Sequence, residues 1–125
     1  MATFSKEMLS GSTDGQGINI ATTATPGTLI HTAVSGTSDI DEIWLYGVNA
    51  DSSTDQKITL EWGGVTAPND HIEITITKES GLWLIAPGIP LQNGLVVRGF
   101  AGAVSYTHLR AHETLRYLVC RLLLE

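Results

Sequence analysis

Two histidines, His31 and His71, are the first candidates for catalysis in this chain. A hydrolytic triad would bring an imidazole together with a carboxylate and a nucleophile. Neither histidine has a serine, cysteine or aspartate at a local spacing that indicates such a group, although triads assemble in space from distant positions. We therefore interpret both as ordinary strand residues and predict no catalytic residue. An enzyme is an open alternative, and it would need one of these histidines to converge with carboxylates in a pocket.

Acidic residues concentrate in two short stretches, which contain Asp39, Asp41, Glu42, Asp51 and Asp55. Loop carboxylates of this kind supply the oxygen ligands that calcium prefers. The spacing matches no EF-hand, because the glycine and the distal bidentate glutamate of that loop are missing. Solvated turn residues are therefore expected. The glycine-rich residues 14–17 precede no helix that could hold a phosphate, so neither a metal site nor a cofactor site is predicted.

Three tryptophans, Trp44, Trp62 and Trp83, would form an aromatic platform for a carbohydrate if two of them lay side by side in solvent. Each ring buries a large area, however, and packing in a core or at a subunit interface is the commoner use of tryptophan in a small β domain. We predict packing, with glycan binding as the alternative.

Alternation of polar and apolar residues identifies the strands that must position these side chains. The clearest cases are residues 57–62 and 71–77. The positions expected to face inward are Ile58, Leu60, Trp62, Ile72, Ile74 and Ile76. The positions expected to face outward are Lys57, Thr59, Glu61, His71, Glu73, Thr75 and Thr77. Two half-buried strands of one sheet are predicted.

Further strands are apolar on both faces, at residues 42–48, 82–86 and 95–100. In the first of them, Ile43 and Leu45 project to one side, and Trp44, Tyr46 and Val48 project to the other. Both faces therefore require cover. We expect a central strand with the core on one side and a second surface, such as a neighbouring subunit, on the other.

Turn residues separate these segments. Asn93-Gly94 indicates a two-residue type I′ hairpin, since that turn needs positive φ at both positions, and Ala86-Pro87-Gly88 indicates another turn. Weaker strands are expected at residues 4–9, 18–22 and 28–34. Short strands at this regular spacing predict an all-β fold, namely a single antiparallel β-sandwich or jelly-roll-like domain.

The C-terminal residues 104–125 resemble the translation of a transposase-type sequencing adapter followed by a flow-cell primer site. The codons GTC TCT TAT ACA CAT CTC CGA GCC CAC GAG encode residues 104–113, and CTC GTA TGC CGT CTT CTG CTT GAA encode residues 118–125. The bases between the two blocks have the length of a typical barcode, and Ala103 and Tyr117 fit the seams. The resemblance implies that residues 104–125 are adapter-derived and form no domain.

Two candidate sites are removed by this resemblance. His108 and His112, with Glu113 beside them, would mimic half a zinc site on a helix. Cys120, the one cysteine of the chain, would otherwise be weighed as a nucleophile. Because the leucines of the tail recur at helical spacing, the pattern favours a helix there, although a spurious one.

Residues 1–103 are then expected to form one β-sandwich domain whose last strand is missing, since few native residues follow the strand at 95–100.

Without the three arginines and two glutamates of the tail, 4 basic and 11 acidic residues remain, with a net charge of −7. Nucleic-acid binding is not expected, because it needs clustered lysines and arginines. No apolar run is long enough for a bilayer and no signal peptide is evident, so we expect a soluble protein made in a cytoplasm.

Residues 41–46, 61–64 and 91–101 resemble the small, cysteine-free β proteins encoded among the virion genes of tailed phages, especially those from marine metagenomes. The resemblance spans most of residues 1–103. It implies a non-enzymatic structural protein of the virion, either a head-decoration or a tail-associated protein, that acts as a homo-oligomer with other virion proteins. The alternative is a carbohydrate- or receptor-binding β-sandwich module of a phage appendage.

Overall fold

The computed structural model describes residues 4–102 and 107–117, and the regular structure in this part of the chain is entirely β. The nine strands are β1 (Phe4–Glu7), β2 (Ile18–Asn19), β3 (Thr28–Thr32), β4 (Ile40–Asn49), β5 (Gln56–Trp62), β6 (His71–Ile76), β7 (Leu82–Leu91), β8 (Val96–Ala101) and β9 (Thr107–Tyr117). None of the described residues belongs to a helix long and apolar enough to cross a membrane. The predicted all-β class is confirmed.

Two antiparallel sheets form the fold. The five-stranded sheet has the order β1-β9-β4-β7, with β2 also paired to β9, and the four-stranded sheet has the order β3-β8-β5-β6. The prediction that the strands at 57–62 and 71–77 lie in one sheet is confirmed, since β5 and β6 are antiparallel neighbours. This arrangement agrees with the predicted β-sandwich, whereas the jelly-roll order stays a prediction.

The core lies between residues that alternate along the central strands. Ile43 and Leu45 of β4 are fully buried, as are Ile58 and Leu60 of β5, and all four belong to one apolar cluster. Burial of each such side chain contributes about 1.5–3 kcal/mol. The predicted inward positions of β4 and β5 are therefore confirmed, and these strands provide the frame for the polar and apolar features on the outer faces.

The turn predicted at Ala86-Pro87-Gly88 is wrong, because β7 continues through these residues to Leu91. Its register with β4 shifts twice, between Ile43 and Trp44 and between Leu45 and Tyr46. The extra residues of β7 are absorbed as bulges, and Gly88 adopts a φ of 76° at one of them. β7 tolerates its prolines because it lies at the edge of the sheet.

The hairpin predicted at Asn93-Gly94 is also wrong, although both residues have the expected positive φ, 63° and 68°. β7 and β8, which flank them, belong to different sheets. The backbone N–H groups of Asn93 and Gly94 donate to the carbonyl oxygens of Gly36 and Val34, at 2.9 Å each. The turn thus crosses between the sheets, since its polar groups are paired with the loop after β3 and not with a partner strand.

The helix favoured by the sequence of the tail is wrong for residues 107–117, which form β9 between β1 and β4. β9 pairs with β4 from Thr107 to Tyr117 and also with β1 and β2. Two unpaired strand edges offer hydrogen bonds that outweigh a local helical pattern. A strand also places positions 108 and 112 about 13 Å apart along the backbone, where a helix would place them one turn apart. Cys120 lies outside the described residues.

Candidate functional site

His31 meets a carboxylate inside the protein. Its Nε2 lies 2.8 Å from Oδ2 of Asp41, and the two residues are only 1% and 0% exposed. His31 belongs to β3 and Asp41 to β4, so the contact joins the two sheets. The same Asp41 oxygen accepts a hydrogen bond from the backbone N–H of Val34 at 3.2 Å.

The other ring nitrogen of His31 fixes the tautomer. The backbone N–H of Ser10 donates to Nδ1 at 3.0 Å, so Nδ1 carries no proton and Nε2–H must be the donor to Asp41. The hydroxyl of Ser10 is engaged elsewhere, because its Oγ accepts a hydrogen bond from the backbone N–H of Thr32 at 2.7 Å. The arrangement has a histidine and a carboxylate but no hydroxyl nucleophile on the ring, which suits a structural link between sheets.

A second buried carboxylate, Glu61 of β5, holds the loop before β3. Its Oε1 accepts from the backbone N–H of Gly27 at 2.7 Å, and its Oε2 accepts a short hydrogen bond from the Thr25 hydroxyl. Glu61 is 0% exposed. The sequence pattern placed Glu61 and Thr59 on the solvated face, and this expectation is wrong. Both residues do lie on the outer side of the sheet, but they are buried there, Glu61 beneath the loop that its carboxylate anchors.

His71 of β6 is the cross-strand neighbour of Glu61. Its Nε2 lies 3.8 Å from Oε2 of Glu61, which is beyond hydrogen-bonding distance. This buried Nε2 has no hydrogen-bond partner among the described residues. The ring stands edge-on to Phe100, with centroids 6.0 Å apart and an angle of 74° between the planes. His71 therefore packs mainly as an aromatic ring.

Both histidines thus converge with carboxylates, which local sequence spacing did not reveal. Each partner lies ten residues away along the chain, on another strand. The packing of the two sheets brings His31 to Asp41, and the pairing of β5 with β6 brings His71 to Glu61. Neither histidine is among the residues that line two surface grooves of the described part of the chain, of about 240 and 490 Å³.

The acidic stretches are divided by the fold. Asp41 is buried in the contact with His31, so its expected solvation is wrong. Asp51 and Asp55 lie in the turn between β4 and β5, and Asp55 accepts a hydrogen bond from the backbone N–H of Lys78 at 3.0 Å. The pKa of Asp51 is lowered from its ordinary value, chiefly because the backbone N–H of Ser53 donates to its carboxylate. Within the described ranges, no three His, Cys, Asp or Glu side chains are grouped to hold a metal ion.

The three tryptophans occupy different surroundings. Trp62 and Trp83 are half-buried against the core, in line with the predicted packing role. Trp44 alternates with the buried residues of β4 and so lies on the outer face of the five-stranded sheet. Trp83 is paired with the buried Gly47 on the inner side of that sheet. The side-by-side pair that a carbohydrate platform requires is therefore not formed by Trp44 and Trp83.

An apolar surface covers the outer side of β4 and β7. We call it the β4–β7 face, and it consists of Trp44, Tyr46, Val48, Leu82 and Leu84. Cross-strand pairing aligns Tyr46 with Leu84 and Val48 with Leu82. Leu82 is 62% exposed and Leu84 is 44% exposed. Contiguous apolar surface of this kind typically marks a contact with another molecule.

A hydrogen bond between Trp44 and Glu42 borders the β4–β7 face. The indole N–H of Trp44 donates to Oε1 of Glu42 at 3.0 Å, so the polar atom of the ring is already satisfied.

No protein-family model matches the chain, and searches of curated proteins and of solved structures likewise found no match. The β4–β7 face is the described feature best suited to a function, because it combines exposure with a chemistry that favours association.

Proposed function

We propose that this chain is a non-enzymatic structural protein of a tailed-phage virion, a head-decoration or tail-associated component, that assembles as a homo-oligomer. The observation that carries the oligomeric part is the exposed β4–β7 face. The virion part rests on the resemblance of residues 41–46, 61–64 and 91–101 to small β proteins of such particles. In that role the protein would be made in the host cytoplasm and would end in the assembled virion.

A second copy of the chain is the occupant that fits this face. None of its five residues carries a charge, whereas the whole chain has a net charge of −6. Two acidic molecules repel each other elsewhere, so an uncharged apolar face is where identical copies can meet. A two-fold contact requires only one such surface, because the same patch is presented by both copies.

Association through the face is favoured over association through the strand edge. β7 lies at the edge of the five-stranded sheet, but Pro87 and Pro90 have no backbone N–H to offer to another strand. The two register shifts between β4 and β7 add to this irregularity. Bulges and prolines of this kind protect an edge from strand addition, so the apolar surface at β7 is expected to associate through its face and not through its edge.

The test is a charge placed in the middle of the face. We expect size-exclusion chromatography with light scattering to show an oligomer for the unmodified chain. In Leu84→Glu, two carboxylates would approach each other across the contact, so the dissociation constant should rise by about tenfold or more. Val65→Glu is the matched control, because Val65 is 45% exposed against 44% for Leu84 but lies in the loop between β5 and β6.

Two results would contradict the proposal. The first is an unmodified chain that stays monomeric at the highest soluble concentration. The second is an oligomer that Leu84→Glu and Val65→Glu weaken equally, since the contact would then lie elsewhere. Circular dichroism of both variants establishes that a change in mass reflects assembly and not unfolding.

A further inference from the structure

The groove beside Arg98 has a composition suited to a small ligand. It has a volume of about 240 Å³ and is lined by Gly63, Gly64 and Gly94, by Val65, Leu95 and Val96, and by Arg98. We propose that this Arg98 groove binds a carboxylate group attached to a short aliphatic chain. The proposal is independent of the oligomeric function, because the groove lies on the other sheet from the β4–β7 face.

Arg98 has hydrogen-bond donors to spare. Among the described residues, its side chain makes one long hydrogen bond, of 3.4 Å from Nη1 to the carbonyl oxygen of Gly27. No carboxylate of residues 6–102 forms an ion pair with its guanidinium. A guanidinium offers five N–H donors in a planar fork that matches the two oxygens of a carboxylate. Most of that fork is therefore available to a ligand.

The acid nearest to Arg98 in the sheet is already engaged. Glu61 is the cross-strand partner of Arg98, yet its two oxygens accept hydrogen bonds from Gly27 and Thr25. Arg98 is itself half-buried, and Glu61 balances part of its charge across the strands without pairing with its N–H groups. A bound carboxylate would pair with those N–H groups through charge-assisted hydrogen bonds, which are stronger than neutral ones.

The remaining walls of the groove define the rest of the ligand. Glycines leave the backbone open to close approach, and a Cβ at Gly94 would meet nothing within 4 Å. Val65 and Leu95 are 45% and 43% exposed and offer apolar contact. The volume is below the roughly 300–1,000 Å³ of drug-sized sites, so the aliphatic part of the ligand must be short.

A neighbouring carboxylate favours a monoanion over a phosphate dianion. Oδ2 of Asp70 accepts from the backbone N–H of Thr66 at 3.0 Å and lies close beside Gly64, where it would obstruct an added Cβ at 2.5 Å. Each further negative charge on a ligand would be repelled by Asp70. We therefore expect butyrate to bind more tightly than methyl phosphate, and more tightly than acetate, which lacks the aliphatic chain.

The experiment is a titration of the full ¹⁵N-labelled chain with sodium butyrate at constant ionic strength, followed by amide chemical shifts. Saturable shifts are expected at Gly63, Gly64 and Gly94. Arg98→Gln should weaken binding by about tenfold or more, the amount expected for a charge-assisted hydrogen bond. The control is Lys57→Gln, which removes a half-exposed cation of the same sheet that is paired with Glu73 at 3.1 Å, and it should leave the affinity within about twofold.

Arg98→Lys provides a second variant, which keeps the charge but loses the fork, and it should bind with intermediate affinity. Amide peak dispersion shows whether each variant is folded. The proposal is overturned if butyrate causes no saturable shift in the unmodified chain, or if the folded Arg98→Gln and Arg98→Lys variants bind as the unmodified chain does. Tighter binding of methyl phosphate than of butyrate would overturn the assignment of the ligand class.

Discussion

At the scale of single residues, two buried carboxylates connect separate segments of the fold through hydrogen bonds. Asp41 connects β4 to His31 of β3, and Glu61 connects β5 to the loop that contains Thr25 and Gly27. Each acid receives hydrogen bonds from groups of another segment, which offsets the cost of removing its charge from water. Sequence reasoning singled out Asp41 and the two histidines, but it placed Glu61 on a solvated face and identified none of these partners. Side chains from different strands meet only when the sheets are assembled.

Loss of His31 should destabilise the protein strongly. In His31→Leu, Asp41 keeps a buried charge but loses the imidazole donor, and the backbone N–H of Ser10 loses its acceptor. Leaving a buried group without its hydrogen-bond partner costs about 1–3 kcal/mol, and more where that group is charged, as Asp41 is. Urea denaturation monitored by tryptophan fluorescence measures the change in the free energy of unfolding.

The control for that measurement is Lys57→Met, which breaks the half-exposed pair between Lys57 and Glu73. Exposed pairs contribute about 1 kcal/mol or less, so this variant should remain close to the unmodified chain. If His31→Leu were no more destabilising than Lys57→Met, the contact between His31 and Asp41 would not stabilise the packing of the two sheets.

At the scale of strands, the period-two pattern located β5 and β6 closely, since one face of each packs on the core and fixes the alternation. β4 and β8 were located as short runs that are apolar on both faces. Prediction failed where the backbone departs from regular pairing. The bulges of β7 were interpreted as a turn, because Pro87 and Gly88 are ordinary turn residues. The turn at Asn93-Gly94 was recognised by its local chemistry, but the partner strands of β7 and β8 depend on contacts remote in sequence.

Gly88 is the extra residue of the β7 bulge that lies opposite Ile43 and Trp44. Its φ is 76°, and an added Cβ would lie 3.1 Å from Cζ2 of Trp44 and 3.3 Å from Cδ of Glu42. Gly88→Ala should therefore suffer both backbone strain, about 1–2 kcal/mol, and displacement of the Trp44 ring. We expect a lower urea midpoint and, because Trp44 belongs to the β4–β7 face, weaker assembly.

Gly81→Ala separates these two effects. Gly81 has a φ of 82°, and nothing lies within 4 Å of an added Cβ, so this variant should show the backbone strain alone. A larger loss of stability in Gly88→Ala than in Gly81→Ala is the expected result. Equal losses of stability would mean that the Trp44 ring can move away from an added Cβ at no cost, so that Gly88 does not fix the position of Trp44 in the β4–β7 face.

At the scale of the whole molecule, β9 connects parts of the five-stranded sheet that otherwise do not pair. β1 and β2 have β9 as their strand partner in the described part of the chain, and β9 also covers the full length of β4. If residues 104–125 are adapter-derived, as the sequence predicts, they were not selected to fit between β1 and β4. The pairing is compatible with that prediction if β9 is held mainly by backbone hydrogen bonds, which any extended segment can make.

Deletion and reshuffling of the tail distinguish a generic strand from a specific one. A chain ending at Ala103 would leave the β4 edge open and β1 without its partner, so we expect aggregation or a clear loss of cooperative unfolding. A chain in which residues 107–117 are exchanged only between alternate positions, so that each face of the strand keeps its composition, should keep most of its stability, because the backbone hydrogen bonds and the division between the two faces are both retained. Light scattering and urea denaturation compare the two chains with the unmodified one. If reshuffling proved as damaging as deletion, the order of side chains in β9 would be matched to the sheet, and an adapter origin for these residues would be untenable.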